Sequence, residues 1–145
     1  MGKPKMKSGL PDAIERREIL AGNVKHVDLD ALGERYLRAG WLSDAIDCFE
    51  RTRNAAKLAE VKARAIETDV FLLERLARTR GVEVSKEDWR RAAEAAMAAG
   101  RDCAAVTAFE RAGDEARAAE ARARADAFRA ELKPPTKSRT GGDLF

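Results

Sequence analysis

Between residues 11 and 132 apolar side chains recur at three- and four-residue intervals, and nowhere is there a sustained alternation of apolar and polar positions. That spacing predicts helices with one buried face and no strands. Gly9-Leu10-Pro11-Asp12, Gly22-Asn23, Gly40, Gly81, Gly100, Gly113-Asp114 and Pro134-Pro135 divide the chain, placing helices at 11–21, 28–39, 41–53, 55–67, 69–80, 86–99, 101–112 and 114–132. Thr68-Asp69 either caps a new helix or lies inside one long helix. Pro11 suits a first helical turn, where its missing N–H leaves nothing unpaired. Gly22, Gly40, Gly81 and Gly100 suit left-handed helix ends, and Ser85 with Asp88 resembles a capping box.

The stretch LGERYLRAGWLSDAIDCFERT (32–52) is echoed by AAEAAMAAGRDCAAVTAFERA (92–112). Offset by 60 residues, positions 28–65 and 88–125 agree at 14 of 38 places. Alanine-rich composition alone would not align Gly40 with Gly100, or Phe49-Glu50-Arg51 with Phe109-Glu110-Arg111. The sequence therefore contains an internal repeat.

The first copy reads Leu29-x2-Leu32-Gly33-x2-Tyr36, then Gly40 and Ala45-x3-Phe49. The second has Trp89, then Ala92, Ala93 and Ala96, followed by Gly100 and Ala105-x3-Phe109. This pattern resembles the tetratricopeptide (TPR) hairpin, in which small residues on one helix accept a bulky residue from the next. Two features depart from that family: the period is 60, against about 34, and Lys57 and Arg117 stand where a closing proline is usual. Residues 55–80 read as a degenerate middle hairpin and 114–132 as a final helix. The resemblance implies an all-α, right-handed superhelix of antiparallel helical hairpins, with seven to eight helices in a domain over 10–132.

In that family the first helices of the hairpins line a groove that takes a peptide or a helix. Carried over residue by residue, the groove places are Asp30, Glu34 and Leu37 in one copy and Arg90, Glu94 and Met97 in the other. Acids dominate these places, which implies a basic or amphipathic protein segment as ligand. The implied function is a non-catalytic adaptor or scaffold that holds a partner protein.

Composition sharpens this picture. A length of 145 residues suits one core, and a 45% hydrophobic content rich in alanine suits closely approaching helices. The net charge of +3 resides at the ends. Removing Lys3, Lys5, Lys7, Lys133, Lys137, Arg139 and Asp143 takes 28 bases and 25 acids to 22 and 24. Residues 1–9 and 133–145 are therefore expected to be flexible basic tails around a nearly neutral body. Two cysteines are too few for a disulfide framework, and no run is long and apolar enough to span a bilayer, so a cytoplasmic location is expected.

Candidate chemistry is sparse. His26 stands alone, Cys48 and Cys103 fall within packing helices, and neither Gly-rich phosphate-binding pattern is present. No catalytic, cofactor-binding or metal-ligating residue is assigned, and no cofactor is expected. Arg117, Arg122, Arg124 and Arg129 alternate with Glu115, Glu120, Asp126 and Glu131, the composition of a solvated face; nucleic-acid contact is not expected. Ala118, Ala121, Ala125, Phe128 and Leu132 read as an intramolecular packing seam, leaving Ala116, Ala119, Ala123, Ala127 and Ala130 on the other side. The C-terminal GGDLF resembles the bacterial sliding-clamp-binding pentapeptide at Asp143, Leu144 and Phe145, with Gly141 and Gly142 in place of its glutamine and first leucine. That resemblance implies, as an alternative function, a replication or repair accessory protein tethered to the sliding clamp.

Overall fold

The computed structural model describes residues 9–24 and 26–132. They form eight helices and no strand: α1 Ala13–Leu20, α2 Leu29–Ala39, α3 Leu42–Thr52, α4 Ala55–Thr68, α5 Val70–Ala77, α6 Lys86–Ala98, α7 Asp102–Arg111 and α8 Glu115–Leu132. The chain is all-α, and its helix contacts are mostly sequential and antiparallel, with α1 against α3.

Local chemistry sets the helix ends. Asp12 is the N-cap of α1 and forms a capping box with Glu15, so Pro11 lies before the cap, not within the first turn. Asp69 separates α4 from α5. Its backbone is extended at φ −155°, ψ 103°, and its carboxylate accepts from the N–H groups of Phe71 and Leu72 at 2.9 and 3.2 Å. One residue thus ends one helix and starts the next. Ser85 and Asp88 complete a reciprocal capping box on α6. Gly81 does not end α5; that helix stops at Ala77, and Gly81 lies in the turn beyond it.

Side-chain links sort the helices into two layers. Glu34–Lys57 joins α2 to α4, Lys62–Asp88 joins α4 to α6, and Arg117–Glu94 joins α6 to α8. Arg16–Asp44 joins α1 to α3, Arg75–Asp47 joins α3 to α5, and Arg111–Glu74 joins α5 to α7. The core lies between the layers. Tyr36, Ile46, Phe49, Leu58, Val61, Leu73, Leu76 and Phe109 are almost wholly buried, with alanines 45, 65, 93, 96, 105 and 108 filling the narrow spaces. Burial of each large apolar side chain contributes about 1.5–3 kcal/mol, which makes this seam the main source of cohesion. A Cβ on Gly33 would come within 2.6 Å of the Phe49 ring, the close approach expected from the sequence.

Several structural details recur at the same offset. Gly40 and Gly100 both adopt left-handed backbone, at φ 80° and 74°. Arg53 and Gly113 do likewise, at φ 53° and 76°. Asn54 accepts from the Lys57 N–H and Asp114 from the Arg117 N–H, each at 3.1 Å. The two bases, Lys57 and Arg117, pair back to Glu34 and Glu94. The same backbone devices therefore close both hairpins.

Candidate interaction surface

The layer formed by α2, α4, α6 and α8 carries the residues singled out for a groove, and the fold itself engages most of them. Asp30 is half-buried and accepts from the Thr52 hydroxyl at 2.6 Å and the Asn54 amide at 3.2 Å. Lys57 donates to Glu34; this contact holds the Glu34 carboxyl below its ordinary range and raises the Lys57 ammonium above its own. Glu94 receives two hydrogen bonds from Arg117 at 2.9 Å, and that guanidinium also lies 5.1 Å from the centre of the Phe109 ring. Arg90 is exposed and pairs with Glu87 at 3.0 Å.

Leu37 and Met97 require correction. Both are buried in the seam, at 8% and 7% exposure, and present no usable surface to a ligand. Their apolarity is the relevant signal: a leucine or methionine at helical spacing is drawn to the core before it is left in a charged trough. Within the helices that the resemblance picks out, these two residues lie on the side turned to the core.

Between α4 and α6 lies a shallow depression of about 310 Å³, lined by Ile66, Glu67, Glu87, Arg90, Arg91, Glu94 and Ala95. Glu67 and Arg91 are exposed, and their side chains enter none of the ion pairs that join the helices. Comparison of the two copies does not single them out: Arg91 stands opposite Ala31, and Glu67 lies beyond 28–65.

A second concavity, about 480 Å³, lies where α7 begins and α8 ends. Phe71, Cys103, Ala104, Ala125, Phe128 and Leu132 line it, together with Arg101, Asp102, Arg129 and the Gly100 turn. Phe71, Phe128 and Leu132 are 69, 59 and 65% exposed. The expected packing seam of α8 therefore holds only in part: Ala118 and Ala121 are buried and Ala125 half-buried, whereas Phe128 and Leu132 face outward. The corresponding place beside α3 is lined by Gly40 to Asp44 with Thr68, Asp69 and Leu72. There α5 comes at once after α4, and Arg75 binds Ser43 and Asp47. No described helix succeeds α8 in that way.

The other candidates offer little chemistry. His26 is exposed in a turn at φ 66°. Cys48 is buried, and burial with the neighbouring Asp47 pushes its thiol up to about 11; Cys103 is exposed. Among the described residues no helix is long and apolar enough to cross a membrane. Asp143, Leu144 and Phe145 lie outside the described residues, as do the basic residues of the two tails. No family model, curated protein or solved structure matches the chain.

Proposed function

We propose that this chain is a non-catalytic adaptor of TPR-like hairpins that holds a segment of a partner protein against its α2–α4–α6 face. The observation that carries this reading is the lateral succession α2, α4, α6, tied by Glu34–Lys57 and Lys62–Asp88. It leaves one continuous helical face with a depression at α4 and α6. The details shared by 28–65 and 88–125 support a duplicated unit, and duplicated hairpins build extended recognition faces. Glu34 and Glu94 hold the face together, so Glu67 and Arg91 are the charges available to a ligand. A segment carrying both signs fits them, in place of the purely basic ligand that the acid count suggests.

Affinity capture from a lysate of the source cell, comparing the native chain with Glu67→Lys/Arg91→Glu, tests this. Loss of specific proteins with the variant, at unchanged helix content, supports the face. Identical captured sets would refute it.

A second reading, attachment to a bacterial sliding clamp, rests on Asp143-Leu144-Phe145 alone. Clamp binding that disappears when the chain is ended at Gly142 supports it; absence of binding by the intact chain removes it.

A further inference from the structure

We propose that the apolar groove at the start of α7 and the end of α8 is a docking site for this chain's own segment Asp143-Leu144-Phe145. Three observations converge on that occupant. The groove exposes Phe71, Phe128 and Leu132 together, a concentration of aromatic and aliphatic surface unlike the charged faces around it. In the corresponding place of the first hairpin, α5 succeeds α4 and binds across α3 through Arg75. Sixty residues on, the positions matching α5 are 130–137, which include Pro134 and Pro135, a sequence unsuited to a helix interior. Among the described residues the second hairpin thus has the floor of this contact and no such cover.

The C-terminal segment supplies matching chemistry. Residues 133–143 are polar, charged, glycine or proline, and the two large apolar residues Leu144 and Phe145 come directly after them. Asp143 stands directly before that pair, and the groove lining carries Arg129 beside Arg101, which donates to the Thr68 and Glu67 carbonyls, and Asp102, which pairs with Arg124 at 3.5 Å. Leu144 and Phe145 against Phe71, Phe128 and Leu132, with Asp143 toward Arg129, sets apolar surface on apolar surface and acid beside base.

Reach is sufficient. The groove's floor on α8 runs from Ala125 to Leu132, about 10 Å of helix rise. The ten residues from 133 to 142 can span up to about 35 Å, enough to double back along it. A tether this short keeps the segment at roughly millimolar effective concentration, so modest affinity gives high occupancy. A docked Leu144-Phe145 is withheld from any other apolar pocket; a competing partner must first displace it.

Cys103 lines the groove and is exposed, whereas Cys48 is buried, so the chain carries its own reporter. The experiment is alkylation of Cys103 by N-ethylmaleimide, with mass-spectrometric readout, in the intact chain and in the chain ended at Gly142. Docking at roughly 1 mM effective concentration with a Kd of about 0.25 mM leaves the groove free about a fifth of the time and predicts about five-fold slower alkylation of the intact chain, independent of protein concentration. Phe128→Ser in the intact chain, or Leu144→Ser with Phe145→Ser, should restore the fast rate. A synthetic peptide of residues 133–145 should slow the truncated chain. Equal rates for intact and truncated chains overturn the proposal, as does protection that grows with protein concentration, which would make the occupant a second copy.

Discussion

Gly33 shows how one side chain sets the spacing of a hairpin. With only hydrogen on its Cα, α2 lies directly on the Phe49 ring, which is wholly buried. Gly33→Ala gains about 0.5–1 kcal/mol of helix preference but overpacks a closed core, which costs about 1–3 kcal/mol. At a 2.6 Å approach to a closed ring the overpacking lies toward the upper end of that range, and the expected net is a loss of about 2 kcal/mol in denaturant unfolding, largely recovered by adding Phe49→Leu. No loss would show that α2 and α3 adjust freely. The second hairpin already holds Ala93 and Phe109, both fully buried, in the matching places. This small-against-large logic is legible in the sequence. The orientation of Leu37 and Met97 is not legible from a family pattern, whose spacing locates a position along a helix while burial decides which way it faces.

The helical elements are the most legible feature, because α2, α3, α4, α6 and α7 each combine strong three-four periodicity with a glycine, Asn or Ser at an end. Asp69 is ambiguous in the sequence because neither proline nor glycine marks the break; a carboxylate taking two backbone N–H groups does so instead. The α6 start supplies a pH test. Burial pushes the Asp88 carboxyl up, but the Ser85 N–H and the Lys62 ammonium outweigh it and hold the group below its ordinary value of 3.8. A carboxyl depressed in the folded state stabilises above that ordinary value, and this contribution fades as pH falls through the lower folded one. Asp88→Ala should therefore cost about 1–2 kcal/mol near neutral pH through lost capping and pairing. Unfolding curves of variant and parent should converge below pH 3.8. A gap unchanged by acid would mean that the carboxylate's charge is immaterial. The C-terminal half of α8 departs from expectation for a different reason: periodicity reveals an apolar side of a helix, whereas packing against that side requires another element, and among the described residues no helix follows α8.

At the level of the molecule, the internal similarity anticipates neighbouring hairpins but not the two sets of lateral ion pairs. Those pairs join residues whose partners lie on separate helices, such as Lys62 with Asp88, and nothing local in the sequence couples them. They place α2, α4 and α6 side by side, and the proposed recognition face depends on that adjacency. Zero-length carbodiimide coupling of the intact chain, with the cross-linked peptides mapped by mass spectrometry, tests it most directly. The structure predicts amide links from Lys57 to Glu34 and from Lys62 to Asp88, since both pairs are in contact. Coupling of these lysines instead to Asp47, Glu50 or Glu74 of the opposite layer, with neither predicted link present, would contradict it.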